Sequence, residues 1–315
     1  MKIVITGATG HIGSALIHQF AFDFPGAEIV LLDNMKTQRY CSLFNLPRTA
    51  QYSFVEIDVC TSDLSKFFNG ADTVVHLAAL TDAANSFENA DLVKKNNLEA
   101  TSRVAKACIE SQSQMILLSS TSVYGTSSTT VSEDCLITDL NPQSPYAETK
   151  LKEENLVETM VRSHGLRAVI CRFGTIVGTS PGMRFHTAVN KFCWQAALGL
   201  PITVWTTAYD QKRPYLDLRD ATRALSFLIN KQSSAGLIYN ILSSNSTVCE
   251  ITEIIRKFIP DIEINFIDNM IMNQLSYEVS NKRFSDLGFS FSDGLDTRIG
   301  ETINLLKDAR SFICL

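Results

Sequence analysis

The sequence predicts an α/β fold in which a doubly wound parallel sheet is followed by a smaller mixed α/β C-terminal lobe. Three observations lead to this prediction. Short apolar runs alternate with helical segments from the first residue, these runs lack a clean polar alternation, and a glycine-rich turn separates the first run from the first helix. Runs of this kind are typical of parallel strands covered by helices on both faces, as in the Rossmann architecture.

The elements of the first half follow one another in a regular order. Strands are predicted at 2–6, 28–33, 52–58, 73–79, 114–120 and 167–172, and helices at 11–22, 90–112 and 146–163. The second half is less regular, with loops at 179–184 and 206–213, helices at 187–198, 220–230, 250–259 and 301–310, and a late strand at 237–242. We therefore expect a first domain at 1–172 and a second lobe at 173–315, some of whose segments pack back on the first domain.

Composition restricts the class of function. Of 315 residues, 45% are hydrophobic and 19% are charged, which supports a large core and argues against disorder. A net charge of −5 without a Lys/Arg run argues against nucleic-acid binding. The 8 cysteines and 5 histidines show no metal or disulfide spacing, and no apolar run suits a signal peptide or membrane span. We expect a cytoplasmic protein that binds neither metal nor membrane.

A glycine-rich turn and an acidic residue together suggest a dinucleotide site. Gly7, Gly10 and Gly13 open the first helix, where backbone N–H groups can approach a pyrophosphate. The spacing is G-x-x-G-x-x-G, and a simple tight turn would also explain it. Asp33 ends the second strand twenty positions after Gly13, where a carboxylate can accept hydrogen bonds from the adenosine ribose. Its charge would repel a 2′-phosphate and so favours NAD over NADP, although a cap or turn residue is the alternative.

Tyr146 and Lys150 lie one turn apart on a predicted helix and therefore share a face. A fixed cation favours a phenolate, so the pair predicts a general base that works near neutral pH. A lone Y-x-x-x-K spacing is weak, because the chain has 8 tyrosines. The glycine-rich opening and the segment Ser119–Gly125 (SSTSVYG) strengthen the prediction.

As a set, these motifs resemble the extended short-chain dehydrogenase/reductase family, the NAD-dependent nucleotide-sugar epimerases and dehydratases. The resemblance covers residues 1–242 and, more weakly, extends to 289. It is carried by the glycine turn, Asp33, Asp58-Val59, the run His76 to Ala79, Asn97, the SSTSVYG segment, and the Tyr146 and Lys150 pair.

The resemblance implies a role for individual residues. Tyr146, Lys150 and Ser120 would be catalytic. NAD would be held in the first domain by Gly7, Gly10, His11, Ile12, Gly13, Asp33, Asn34, Asp58, Val59, Leu77, Ala78, Ala79, Asn97, Tyr146 and Lys150. A nucleotide-diphosphate sugar, a UDP- or GDP-hexose, would contact Thr175, Thr203, Trp205 and Arg213 in the second lobe.

Some of these roles have alternatives. Arg213, the residue expected to hold the diphosphate, could instead form a surface salt bridge, and Trp205 could be a core residue. Relatives commonly form homodimers through the helices that carry Asn97 and Tyr146, so a homodimer is expected. Thr175 stands where relatives usually have an asparagine, and the region 271–274 lacks their second arginine, which leaves the substrate open.

The residues after Ser120 bear on the reaction. All members of this branch would oxidise C4 of the sugar, with Tyr146 removing the hydroxyl proton. Relatives that are 4,6-dehydratases usually carry Asp-Glu next, whereas this chain has Thr121 and Ser122. We therefore expect a 4-epimerase. The alternatives are a C4 dehydrogenase, a 4,6-dehydratase with carboxylates supplied elsewhere, and a sulfoquinovose-synthase-like enzyme. The last of these is suggested by the resemblance of residues 188–196 and 211–217 to that branch. A non-catalytic dinucleotide sensor is a further one.

Overall fold

Helices cover both faces of a seven-stranded sheet in this computed structural model, which describes residues 1–81, 87–125, 130–231, 237–268, 276–292 and 294–309. The strands are β1 (Lys2–Thr6), β2 (Glu28–Asp33), β3 (Gln51–Glu56), β4 (Thr73–His76), β5 (Gln114–Ser120), β6 (Thr130–Val131), β7 (Ala168–Phe173), β8 (Thr175–Val177), β9 (Ile202–Trp205), β10 (Arg213–Asp217), β11 (Leu237–Ile241), β12 (Ser244–Ser246), β13 (Ile264–Ile267) and β14 (Glu278–Val279). The helices are α1 (His11–Asp23), α2 (Ser65–Phe68), α3 (Ala90–Ser111), α4 (Pro145–His164), α5 (Ala188–Ala197), α6 (Leu218–Lys231), α7 (Val248–Phe258), α8 (Lys282–Ser285) and α9 (Leu295–Leu306).

The large sheet has the order β11-β7-β5-β4-β1-β2-β3, and every neighbouring pair is parallel. The chain runs outwards from β1 to β2 and β3, and then returns to place β4 on the other side of β1. This change of direction opens a crevice at the carboxyl ends of β1 and β4, where open α/β sheets bind ligands. The predicted doubly wound parallel sheet is confirmed.

Alternate residues of each strand enter two different cores. On β1, Ile3 and Ile5 pack with Leu16 of α1 and Leu225 of α6, whereas Val4 packs on the opposite face. That second face is covered by α3 and α4. Because both faces are buried, the strands read as continuous apolar runs, which is why their positions are visible in the sequence.

Three element boundaries differ from the prediction in an informative way. β4 ends at His76 rather than at residue 79, so Leu77, Ala78 and Ala79 lie in the loop that follows it. α9 begins at Leu295 rather than at 301, because Leu295, Ile299 and Ile303 already line its buried face. The predicted loop at 206–213 holds a 3₁₀ turn, and its last residue begins β10.

The second half of the chain contributes to both regions of the molecule. Small sheets of β12-β10-β8 and β13-β9 surround a core with α5, α7 and α9. By contrast, β11 pairs with β7 at the edge of the large sheet, and α6 packs against α1. The domain boundary at residue 172 stays a prediction. Among the described residues, no helix combines the length and apolar character needed to cross a membrane.

Candidate active site

The glycine turn forms a cradle in which Gly7 and Gly13 leave no room for a side chain. Gly7 has φ +68°, and a Cβ there would lie 2.7 Å from the backbone N of Ala78. A Cβ on Gly13 would lie 2.5 Å from the carbonyl oxygen of Ala8. The turn therefore packs directly against the loop after β4 and against the first turn of α1. That first helical turn has no acidic side chain that would repel an anion. These features fit the pyrophosphate of a dinucleotide.

The predicted ribose and adenine residues lie together beside this cradle. Asp33 ends β2, where Oδ2 accepts a hydrogen bond from Thr9 N (2.9 Å) and Oδ1 accepts one from Met35 N (2.9 Å). Asp58 Oδ2 accepts from Asn34 Nδ2 (3.3 Å) and forms an ion pair with Lys36 Nζ (2.9 Å). Burial acts to raise the pKa of Asp58, but the bonds from Lys36, the Cys60 backbone and Asn34 outweigh it and lower that pKa. Each oxygen of Asp33 accepts one backbone hydrogen bond, which holds the loop after β2 in place, and each has a further lone pair for a ligand.

The loop after β4 is held from two sides. Ala78 N donates to Thr6 Oγ1 (3.3 Å). The buried Asn97 of α3 accepts from Leu80 N (2.8 Å) and donates to Leu80 O (3.0 Å). Asn97 therefore fixes the backbone of this loop at Leu80, and its contact with the cofactor stays a prediction. Four of the predicted cofactor residues with apolar side chains also pack in the core, namely Ile12, Val59, Leu77 and Ala78.

The predicted catalytic residues converge at the carboxyl end of β5. Ser144 caps α4 by accepting a hydrogen bond from Ala147 N (3.2 Å), which places Tyr146 in the first turn and Lys150 in the second. Lys150 Nζ donates to Leu118 O (3.0 Å) of β5 and lies 6.0 Å from the centroid of the Tyr146 ring. Ser120 ends the same strand, and its Oγ accepts from Ser122 Oγ (2.8 Å).

Lys150 acts on the pKa of Tyr146 in the expected direction, but the net pKa of the phenol is raised rather than lowered. Burial raises the pKa of the Tyr146 phenol, Lys150 opposes this increase, and Glu153 adds to it. The resulting pKa is above the ordinary value for tyrosine. Burial disfavours the Lys150 ammonium, but Glu153, Tyr146 and Glu154 outweigh it and raise the pKa of Lys150. Lys150 is thus held as a cation.

A buried hydrogen-bond chain behind Lys150 was not found from the sequence. Lys150 Nζ donates to Glu153 Oε2 (3.0 Å), which also accepts from Thr101 Oγ1 (3.0 Å). Thr101 in turn contacts His76 Nε2 (3.2 Å), and His76 Nδ1 contacts Thr6 Oγ1 (2.8 Å). Burial lowers the pKa of His76 to about 3, so its ring is neutral. The spacing of Glu153, three residues after Lys150 on one helix face, was the available signal.

A second buried cluster joins α4 to β7. Arg172 Nη2 binds Glu154 Oε2 at 2.7 Å, and Arg172 Nε binds Oε1 at 3.0 Å. Ser119 Oγ also donates to Glu154, and Arg172 Nη1 donates to the hydroxyl of Tyr124 (2.8 Å). The cluster fixes α4 against the strand that carries Ser120.

The predicted substrate residues lie on the small sheets. Thr175 and Arg213 begin two adjacent parallel strands, β8 and β10. The Arg213 guanidinium donates to Gln211 Oε1 (2.6 Å) and lies 5.7 Å from the centroid of the Tyr277 ring. The Tyr277 hydroxyl donates to Thr121 O (3.3 Å), so this arginine is linked to the Ser120 segment.

The remaining substrate residues lie on a different sheet. Thr203 and Trp205 are on β9, where Thr203 Oγ1 accepts from Gln195 Nε2 (3.2 Å). Both side chains are partly exposed. The region 271–274, in which a second arginine was expected and not found, lies outside the described residues.

A segment of the second lobe closes over the glycine cradle, which the sequence did not predict. His11 Nε2 donates to Gly178 O (2.8 Å), and burial lowers the pKa of His11 to about 4, so the ring is neutral. Arg39 Nη1 donates to Gly182 O (2.8 Å) and lies 3.7 Å from where a Cβ on Gly10 would be. A guanidinium beside the cradle suits a pyrophosphate. The signal for Arg39 was its position in the loop after β2.

Comparisons with known proteins agree with this geometry. The family model for the NAD dependent epimerase/dehydratase family matches residues 3–241. An uncharacterized UDP-glucose epimerase of Bacillus subtilis (strain 168), YtcB, is 31% identical over 249 residues, covering 76% of each chain.

A longer relative and a solved structure are also similar. The trifunctional UDP-glucose 4,6-dehydratase/UDP-4-keto-6-deoxy-D-glucose 3,5-epimerase/UDP-4-keto-L-rhamnose-reductase of Arabidopsis thaliana is 30% identical over 307 residues, 92% of this chain. The present chain spans only 44% of that relative's length. The structure of UDP-glucuronic acid 4-epimerase from Bacillus cereus in complex with UDP-glucuronic acid and NAD has a TM-score of 0.86 and 26% identity, covering 98% of this chain and 100% of that one. The glycine cradle, the Tyr146 and Lys150 helix and these matches agree, and the chain belongs to the NAD-dependent epimerase/dehydratase family.

Proposed function

We propose that the chain is an NAD-dependent nucleotide-sugar 4-epimerase, similar to UDP-glucose 4-epimerase. The observation that carries the proposal is the pair of residues after Ser120. Thr121 is buried, and its Oγ1 donates to Phe173 O (3.2 Å), whereas Ser122 Oγ donates to Ser120 Oγ (2.8 Å). Neither side chain provides the carboxylate that a 4,6-dehydration would need at this position.

The two buried carboxylates of α4 that follow Lys150 are bound by other side chains. Glu153 and Glu154 are each 1% exposed. Glu153 binds Lys150 and Thr101, and Glu154 binds Arg172 and Ser119. Because both side chains are buried and already bound, neither Glu153 nor Glu154 is available to remove a proton from C5.

The proposed reaction needs one residue that accepts a proton and later returns it. Tyr146 removes the proton of the C4 hydroxyl and later returns it to the same oxygen, after the 4-keto sugar has turned its other face. Ser120 donates a hydrogen bond to that oxygen. Lys150 stabilises the phenolate and retains an N–H for the cofactor ribose. The chemistry that NAD supplies when bound is reversible hydride transfer at C4.

A UDP-hexose is the proposed substrate. The Bacillus cereus 4-epimerase is described with UDP-glucuronic acid, and the Bacillus subtilis relative is named a UDP-glucose epimerase. Arg213 is the proposed diphosphate ligand, since its guanidinium lies at the start of β10 and is only partly buried. A 4,6-dehydratase is the second candidate, because the Arabidopsis relative carries that activity in its name.

The test follows the products from UDP-glucose, UDP-glucuronic acid and dTDP-glucose by NMR and mass spectrometry in heavy water. Epimerisation gives a 4-epimer of unchanged mass with no deuterium at C5. Loss of water together with deuterium at C5 would establish the dehydratase instead. Accumulation of NADH with a keto sugar would establish a dehydrogenase.

A further inference from the structure

The buried carboxylate of Glu153 faces the Lys150 ammonium from inside the protein. Lys150 Nζ donates to Glu153 Oε2 and to Leu118 O, each at 3.0 Å. We propose that Glu153 is a positioning residue of the reaction centre, which holds the Lys150 ammonium against β5 and balances its charge. This inference rests on the proposed function, in which Tyr146 and Lys150 act as the proton-handling pair.

The orientation of this carboxylate is fixed from three elements. Thr101 of α3 donates its hydroxyl proton to Glu153 Oε2 (3.0 Å), so it accepts from His76 Nε2 (3.2 Å). His76 of β4 must then accept at Nδ1 from the Thr6 hydroxyl of β1 (2.8 Å). This directional chain keeps Oε2 pointed at Lys150.

Stability alone does not account for a glutamate at this position. Glu153 is 1% exposed, and its Oε1 has no hydrogen-bond partner among the described residues. An unpaired buried carboxylate oxygen is unfavourable, and well-packed apolar side chains often replace buried ion pairs without loss of stability. Its placement therefore points to a function on Lys150 rather than to a contribution to folding.

The charge of Glu153 bears directly on Tyr146. The other charged groups that face the pair balance each other, since Glu154 is bound by both Nε and Nη2 of Arg172. His76 is neutral in its buried position. Glu153 thus makes the Lys150 site neutral overall, and it raises the pKa of Tyr146. Removing this negative charge should let the first proton leave the Tyr146 and Lys150 pair at lower pH.

The test is an NMR titration of protein labelled with ¹³Cζ-tyrosine and saturated with NAD. Tyr146→Phe identifies the signal of Tyr146 among the 8 tyrosines. In Glu153→Gln we expect the midpoint of this signal to lie about one pH unit below that of the wild type. Glu153→Asp keeps the charge and should remain near the wild type. Glu148→Gln is the matched control, because Glu148 is exposed on the same helix and pairs at 3.8 Å with Lys152.

This readout separates the inference from the proposed function, since tyrosine ionisation is measured without turnover. If no sugar nucleotide is converted, the proposed function fails while the titration still tests Glu153. Where turnover is present, the acid limb of kcat/KM should move in the same direction in Glu153→Gln. Equal midpoints in wild type and folded Glu153→Gln would overturn the proposal.

Folding of the variant also has a defined consequence. Glu153→Leu removes the same charge with a similar volume and is the second variant if Glu153→Gln does not fold. A lowered midpoint in Glu153→Leu would support the proposal. Failure of both variants to fold would make Glu153 a structural residue and would overturn it.

Discussion

Among single residues, the phenol of Tyr146 is the most direct test of the reaction centre. Tyr146→Phe removes the hydroxyl and keeps the ring near Lys150. Since a positioned general base contributes about a hundredfold to ten-thousandfold, we expect kcat to fall by about a thousandfold while NAD still binds. Steady-state kinetics and NAD titration measure the two effects.

The control for this substitution is Tyr52→Phe, which removes a hydroxyl that donates to Pro47 O (2.9 Å) on the edge of the sheet. It should leave kcat unchanged. Full activity in Tyr146→Phe would remove the catalytic assignment and would support the dinucleotide sensor.

His76 predicts a loss of stability in mild acid. Its folded pKa is about 3, below the ordinary value of 6.5, because burial disfavours the imidazolium. Between these two values the unfolded chain binds more protons than the folded chain. The neutral His76 ring therefore contributes its whole share of the free energy of unfolding at pH values well above 6.5, and this share decreases as the pH falls. The arithmetic gives a loss of about 2 kcal/mol from His76 between pH 7 and pH 5.

Urea unfolding at pH 7 and pH 5 measures this effect. His76→Gln is destabilised at pH 7, but the difference between its two pH values should be smaller than that of the wild type by about 2 kcal/mol. His164→Gln, at an exposed position, should retain the full pH dependence. An equal pH dependence in His76→Gln and wild type would contradict the neutral buried ring.

At the level of elements, the glycine turn joins β1, α1 and the loop after β4. Gly7→Ala combines backbone strain at φ +68° with a contact 2.7 Å from Ala78 N. Gly70→Ala is the matched control, because φ there is +72° and nothing lies within 4 Å of the added Cβ. We expect a stability loss of about 1 kcal/mol in Gly70→Ala and about 3 kcal/mol in Gly7→Ala.

Only Gly7→Ala should also weaken NAD binding, since the added methyl group displaces the cradle. Thermal unfolding and calorimetric NAD titration of both variants measure the two effects. Equal losses of stability in the two variants, with NAD binding retained, would show that the close approach to Ala78 is not needed.

The joint between α4 and β7 depends on the fork of Arg172. Its Nε and Nη2 both bind Glu154 in a buried setting, and lysine cannot form this pair of bonds. Arg172→Lys should lower the free energy of unfolding by on the order of 2 kcal/mol. Arg162 is on α4 and its side chain is 73% exposed, so Arg162→Lys should change the free energy of unfolding little. Chemical unfolding of the two variants compares them.

In the whole molecule, the large sheet is completed by the second half of the chain. A fragment ending at residue 172 would lack β11, which pairs with β7, and α6, which packs against α1. We expect the fragment 1–172 to aggregate, since apolar residues such as Val169 lose the cover of Leu228. Circular dichroism and size-exclusion chromatography test this, and cooperative unfolding of a monomeric fragment would support the boundary at 172.

The homodimer stays a prediction. It would use α3 and α4, which pack side by side within one chain. Light scattering of the full chain measures its mass.

The sequence predicted the seven strands of the large sheet, but neither the short strands of the small sheets nor the hydrogen-bond network of the site. β1, β2 and β5 have the predicted bounds because buried parallel strands are short uninterrupted apolar runs. Glu153 looks like a surface charge next to Glu154, since a sequence does not show which helix face is covered. The contact of Gly182 with the cradle joins residues far apart in the chain, and no local pattern marks it.

The amino-acid sequence by itself indicated the parallel sheet, the glycine turn, Asp33 and the spacing of Tyr146 and Lys150, because uninterrupted apolar runs, short glycine spacings and the period of a helix are local features of the chain. Only the tertiary structure decided which charges surround that pair. Burial raises the pKa of Tyr146, and Glu153 faces Lys150 from the interior because Thr101 and His76 come from other elements of the packed core. Electrostatic environment depends on neighbours in space, and the fold alone brings those neighbours together.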